Sequence, residues 1–178
     1  MDHAQHKIME IKFKVEQGVE LPTYGSELAA AFDVTAYDII KLFKGDTEIT
    51  GEKFDKMREG FMERGYIKLR PFERILFHTG LTVADLPKDI KLTPKDRSGV
   101  SLKRGLKVFN SPGTIDADYR GVVGIIIYNS TPFLAKIDRF ERIAQVEPER
   151  VIRLPLISTS ESTETDRGED GFGSSGKF

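Results

Sequence analysis

The chain has no cysteine, no tryptophan and only three histidines in 178 residues. Without cysteine there is no disulfide framework, no thiolate metal centre and no thiol nucleophile. The histidines are His3, His6 and His78, two of them in a polar N-terminal stretch, which argues against a histidine zinc site or a Ser-His-Asp triad. Charge of one sign is also missing: 27 basic residues face 28 acidic ones, for a net of −1. Proteins dominated by nucleic-acid binding carry a basic excess, so no direct nucleic-acid partner is expected, although a local phosphate site remains open. The longest apolar run, "VVGIIIY" at 122–128, falls far short of the roughly 20 residues needed to span a bilayer. Residues 1–30 lack the apolar core of a signal peptide. The length suits one domain with a sizeable core, and the reading is a soluble, cytoplasmic protein without a membrane partner.

What is present begins with a period-two alternation of apolar and polar residues at 9–15. "MEIKFKV" (9–15) reads as a strand, and "AAAFDVTAYDI" (29–39) as another with a tight approach at its start. "GEKFDKMREGFMERG" (51–65) differs: Phe54, Met57, Phe61 and Met62 fall at helical spacing, which predicts an amphipathic helix packed on a sheet. Strands return over 66–87 and 89–96. "SGVSLKRG" (98–105) reads as a short helix capped by Ser98 and ended by Gly105. Strand, turn and strand follow over 106–129, then another turn and strand over 135–148. "LPLISTSESTETD" (154–166) starts as a strand and fades into polar residues. Many short strands with turn signals predict an all-β barrel or sandwich. The composition shift after residue 158 marks an arm, ending in "RGEDGFGSSGKF" (167–178), whose glycines and single ring cannot build a core.

Chemistry-bearing residues cluster at few places. In "NSPGTIDADYRG" (110–121), Pro112 and Gly113 form a turn signal between two apolar strands, with Asn110, Asp116, Asp118, Tyr119 and Arg120 around it. An ordinary hairpin tip is solvated. Asp116, however, follows Ile115 and precedes an apolar run, where a carboxylate becomes partly desolvated, as a general base should be. In "DRSG" (96–99), Arg97 sits at a predicted helix start, which offers free N–H groups to an anion; a serine beside an arginine is common, so this signal is weak alone. "AFD" (31–33) places Asp33 on an apolar strand, equally readable as an edge position. In "RIAQ" (142–145), Gln145 is equally readable as a lone polar side chain on a strand.

Taken in order, "AAAFD", "DRSG", "NSPGTIDADYRG", "RIAQ" and "RGEDGFGSSG" resemble the five motifs of the trimeric deoxyuridine triphosphatase (dUTPase) family. The resemblance covers most of residues 9–176 apart from about 38–66. It implies a jelly-roll-like β-barrel (β-clip) over 1–166, with an inserted amphipathic helix within 38–66, a short helix after the second motif, and a mobile Gly-rich C-terminal lid over 167–178. It implies a homotrimer with shared active sites and hydrolysis of dUTP to dUMP and pyrophosphate, which keeps uracil out of DNA. By the same resemblance, Asn110 pairs with the uracil edge, with backbone groups around Gly113, Thr114, Ile115 and Gly124 completing the reading. Tyr119 packs on the sugar where a 2′-hydroxyl would collide, and Asp116 touches the 3′-hydroxyl and orients the attacking water. Arg97, Ser98, Gly99 and Gln145 contact phosphate. Asp33 holds waters on a Mg²⁺ whose main ligands are phosphate oxygens and water. In the lid, Phe172 stacks on uracil, Arg167 meets phosphate, and Gly173, Ser174 and Ser175 donate to the γ-phosphate.

Four departures from the pattern stand out. Ala31 replaces a glycine, Asp96 a proline and Asp170 a glycine, and the 38–66 insertion is expected on the outer surface, where it could also recruit a protein partner. Asp96 could pair with Arg97 or repel phosphate. The related dCTP deaminases expect a glutamate on the strand after the hairpin; "GIIIYN" (124–129) has none. A nucleotide-binding regulatory protein using the inserted helix is the third reading.

Overall fold

A computed structural model describes residues 9–169. Phe172, Gly173, Ser174, Ser175 and Asp170 lie outside the described residues, as does most of the expected lid. Within them, the strands are β1 (Lys12–Val15), β2 (Phe32–Thr35), β3 (Asp38–Lys44), β4 (Thr47–Ile49), β5 (Tyr66–Leu69), β6 (Glu73–Asp85), β7 (Ile90–Lys95), β8 (Leu106–Val108), β9 (Val122–Asn129), β10 (Ala135–Asp138) and β11 (Arg142–Arg150). Helix α1 (Gly51–Arg64) lies between β4 and β5, and α2 (Ser98–Arg104) between β7 and β8. The all-β expectation holds.

β6 is the long strand around which the larger sheet forms. One of its edges pairs β3 over its first half and β1 over its second; the other pairs β9, which in turn pairs β8. With β4 beyond β3, this makes six strands. Burial alternates along β6 and β9 as the period-two pattern requires, with Ile75, Phe77, Ile125 and Ile127 turned inward and almost solvent-free. A second sheet, in the order β2-β11-β7, supplies Phe32, Val34, Leu92, Ala144 and Val146 to the same core. A third, two-stranded sheet of β5 and β10 adds Ile67, Leu69 and Ile137.

The register of β6 shifts between His78 and Thr82 on the β9 side. Gly80 takes φ +81° there, and a side-chain carbon would lie 2.4 Å from a Val19 methyl, so glycine alone fits. The His78 Nδ1 accepts the Gly80 N–H at 2.7 Å, and the Thr79 hydroxyl donates to the Val123 carbonyl. The His78 ring is edge-on to Tyr37.

Three details differ from the sequence reading. The stretch 29–39 is two strands, not one: Ala36 and Tyr37 turn the chain from the small sheet into the large one, with the Tyr37 N–H donating to the His78 carbonyl. Residues 154–166 form no strand; they leave β11 extended and exposed, without a neighbouring strand to pair with. The 38–66 segment is more than a surface addition. Its first strand, β3, is hydrogen-bonded to β6, and Phe61 of α1 is wholly buried against Phe77 at a centroid distance of 5.9 Å. The polar side of α1 faces solvent. Asp38, buried at the start of β3, receives the Arg58 guanidinium of α1 and its neighbour Ile39 N–H, which pins helix to sheet.

Two outcomes follow from this packing. Phe61→Ala should cost about 3–5 kcal/mol, read as a lowered urea midpoint, because it empties a site closed on all sides. Burial holds His78 below the ordinary histidine value. The unfolded chain therefore takes up that proton more readily, and stability should fall as pH drops through about 6.5. A His78→Asn variant, whose carbonyl can still accept from Gly80, should show a smaller loss of melting temperature on acidification; an equal loss would remove His78 from the account.

Candidate functional site

The small sheet sets one polar row. Gln145 of β11 stands directly opposite Asp33 of β2 on one side and Lys95 of β7 on the other. Cross-strand partners share a face, so the three side chains project together, away from the core face that carries Val34, Ala144 and Val146. Beyond Lys95 the chain runs through Asp96 and Arg97 into α2, and Arg97 folds back over the row. Its Nε donates to Asp33 Oδ1 at 2.8 Å and its Nη1 to the Arg142 carbonyl at 3.0 Å. Arg142, at the start of β11, brings Nη1 within 3.3 Å of Asp33 Oδ2. One half-buried carboxylate thus carries a guanidinium on each oxygen. A cleft of about 420 Å³ opens beside it, lined by Asp33, Thr35, Ala31, Arg142 and the 19–29 loop.

Gln145 donates from Nε2 to the Asp96 carbonyl at 2.7 Å, and the Asp96 carboxylate accepts the Val108 N–H at 2.5 Å. The departure at Asp96 therefore neither pairs with Arg97 nor confronts it; it ties β7 to β8. Arg97, not Ser98, is the N-cap of α2, and no side chain caps this helix. Ser98 and Gly99 begin the helix, both exposed, and their N–H groups belong to the first turn, which has no intrahelical acceptor.

The 110–121 connection flanks the free edge of β7. Gly113 N–H donates to the Pro94 carbonyl, and Ile115 exchanges both backbone hydrogen bonds with Leu92. Ser111–Pro112 is a cis peptide, and Gly113 is buried beneath Asn110. A carbon added to Gly113 would lie 3.2 Å from the Asn110 amide nitrogen. The Tyr119 N–H closes a turn onto the Asp116 carbonyl at 3.1 Å, and its hydroxyl donates to the Val122 carbonyl at 3.0 Å. Asp116, Asp118, Arg120 and Arg153 border a second cleft of about 590 Å³.

The two halves stand apart. Counting from Asp33, the strand bearing Asp116 lies three strands across and about four residues along, roughly 19 Å between Cα atoms at 4.8 Å per strand and 3.3 Å per residue.

The dUTPase family profile matches residues 64–176. Along nearly the whole chain, a deoxyuridine 5′-triphosphate nucleotidohydrolase of Fusobacterium nucleatum is 34% identical over 171 residues, covering 96% of this chain and 99% of that one. The chain belongs to the dUTPase family. An enzyme of the same name from Clostridium novyi is 46% identical over 110 residues, which is 62% of this chain and 77% of its own. Among solved structures, the dUTPase of Staphylococcus bacteriophage 80alpha with dUpNHpp superposes with a TM-score of 0.72 at 22% identity, covering 94% of this chain and 99% of that one. A phage phi11 dUTPase variant, described as coordinating a structural Mg(II) ion, gives a TM-score of 0.65 at 17% identity, covering 87% of this chain and 99% of its own. These structural likenesses concern the fold, a jelly-roll-like β-barrel.

Set against the dUTPase motifs, the fold gathers Asp33, Arg97 and Gln145 into one row, with Ser98 and Gly99 at its end. It gathers Asn110, Gly113, Thr114, Ile115, Asp116 and Tyr119 on one hairpin. Gly124 lies opposite His78 in the large sheet. Arg167 is exposed in the C-terminal segment. Asp116 is solvent-exposed, not partly desolvated: Ile115 and Ala117 on either side pack toward the core, Asp116 points out, and the buried run begins only at Val123. Arg142 was missed by the motif reading, although an arginine three residues before Gln145 on a β-strand was the available signal. Among the described residues no group of three or more His, Asp or Glu side chains could hold a metal ion, and no helix is long and apolar enough to cross a membrane.

Gly121 offers a direct check of the Tyr119 placement. A carbon there would come 2.2 Å from the tyrosine oxygen. Gly121→Ala should therefore expel the ring from the Val122 carbonyl, visible as a moved Tyr119 in a crystal structure of the variant.

Proposed function

We propose that this chain hydrolyses dUTP to dUMP and pyrophosphate, with the uracil on the 110–121 hairpin and the triphosphate over the Asp33–Gln145 row. The observation that carries it is the end-to-end correspondence with named nucleotidohydrolases in a chain whose motif residues fall into two compact groups. Asn110, resting on buried Gly113, offers an amide that matches the alternating donors and acceptors of uracil. Cytosine would leave those groups mismatched, which is costly once water is excluded. Tyr119 closes the sugar side against a 2′-hydroxyl.

Arg97 has the longest reach toward the phosphates. It gives up a half-buried contact with Asp33 to do so, and Arg142 remains on the second oxygen. A bound Mg²⁺ would neutralise charge on the triphosphate. Asp33 fits a water-bridged place beside it, since among the described residues it belongs to no cluster of three or more potential ligands and keeps one lone pair on each oxygen. Asp116 orients the attacking water and takes its proton as the new bond to the α-phosphorus forms and the bond to the bridging oxygen breaks. The electron pair leaves with pyrophosphate. Positioning and electrostatics supply most of the rate.

Roughly 19 Å between Asp33 and Asp116 is too far for one nucleotide to touch both in a single chain. This separation favours two chains contributing the two halves, which supports a cyclic trimer with shared sites. The segment after β11 points the same way: Ile152, Leu154, Leu156 and Ile157 are almost fully exposed, Leu156 at 98%. Apolar side chains on an extended arm favour cover by another surface, which we assign to a second copy. We place residues 167–178 over a neighbour's nucleotide as a lid that excludes bulk water.

Pyrophosphate release measured side by side on dUTP, dCTP, dTTP and UTP should show strong preference for dUTP, and ammonia release from dCTP should be absent. Asp116→Asn should lower kcat by about 1,000-fold while largely sparing dUTP-analogue binding; retained turnover would dismiss Asp116 as the base. Removing residues 167–178 should depress the rate sharply without unfolding the domain, and an unchanged rate would refute the lid.

A further inference from the structure

The 38–66 segment and the start of β6 enclose a cleft that the nucleotide reaction does not use. Its volume is about 320 Å³, within the range of small-molecule sites. The floor is apolar: Leu42 and Ile49 are cross-strand partners on β3 and β4, and Met57 faces them from α1. Four cations stand around this floor. Lys44 ends β3, Lys53 lies one turn before Met57 on the same side of α1, and Lys68 and Arg70 alternate outward on and just after β5.

Acids nearby are already committed elsewhere. Glu48 pairs with Lys41 at 3.2 Å, Glu52 with Lys56 at 2.5 Å, and Asp46 with Arg74 at 3.7 Å. Glu73, the one acid lining the cleft, is buried, stands opposite Lys44 across the strands and accepts the Arg70 N–H, so it offsets one of the four positive charges and leaves the cleft net cationic. No ion pair forms at Lys44, Lys53, Lys68 or Arg70 among the described residues. Four like charges on a concave, partly apolar surface repel one another and raise the local positive potential until an anion answers them.

We propose that this cleft binds a small phosphomonoester with an apolar organic part, its phosphate among Lys44, Lys53, Lys68 and Arg70 and its apolar part on Leu42, Ile49 and Met57. The site is shared between the inserted segment and β5 with the turn after it, and is independent of the dUTP reading.

The test is an NMR titration of ¹⁵N-labelled full-length protein at constant ionic strength, with phenyl phosphate and, separately, inorganic phosphate. Amides of residues 44, 53, 57, 68 and 70 should shift saturably, and phenyl phosphate should bind at least about threefold more tightly than inorganic phosphate. A Lys53→Ala, Lys68→Ala double variant, whose fold is read from the same spectra, should bind at least about tenfold more weakly, with dUTP turnover unchanged. No saturable shift below ~10 mM, an undiminished response in the variant, or equal shifts from sodium chloride would overturn the proposal. Equal affinity for the two phosphates would do the same. So would a shift of these amides on deleting residues 159–178, since the acidic arm would then be the occupant.

Discussion

β11 is held in one register on both edges, and the polar row exists only because of that. Gln145 can face Asp33 and Lys95 at once because β2 and β7 each pair with β11 antiparallel about the same residue. A slip of one residue would turn Asp33 and Gln145 into the core and expose Val34 and Val146. Val34, Ala144 and Val146 are essentially solvent-free, so the core enforces the register and the register places the guanidinium of Arg97. Pro148 fits the same scheme. It lies past the last β2 pair, where β11 has β7 alone as a neighbour and a missing N–H leaves no gap in a ladder.

Charge and chemistry are divided between sheets. The small sheet and the hairpin beside β7 carry the candidate dUTP residues. The large sheet carries the inserted segment, fastened by Asp38 to Arg58 and by Phe61 to Phe77. The hinge between them is the short turn at Ala36 and Tyr37, whose backbone bonds to Glu141, His78 and Phe140 knit the two sheets at one point. A segment added on the β3 side can therefore lengthen or change its surface while the register of β11 stays put.

Much of this was readable from spacing. Period-two alternation found β1, strand-rich stretches at 66–87, 89–96 and 106–129 contained β6, β7 and β9, and the Phe54–Met57–Phe61 spacing found α1 nearly to the residue. Pro112 and Gly113 marked the turn. The failures share a cause, which is that local pattern does not report partners. "LPLI" looks like a strand, yet among the described residues none pairs with it. Ser98 looks like a cap, yet the tertiary pull of Asp33 and the Arg142 carbonyl on Arg97 sets the helix start one residue earlier. Asp116 follows an apolar residue, yet its own side chain points out. Arg142 gained its meaning only when β2 was laid against β11. Motif order was more informative than any one residue, because it encodes the result of that packing.

The arm beyond Val151 has a consequence for the life of a newly made chain. If another copy covers its apolar side chains, as proposed above, the time a fresh copy spends sticky shortens as more siblings surround it. Low concentration would then leave such a chain exposed to clumping for longer, because assembly follows mass action.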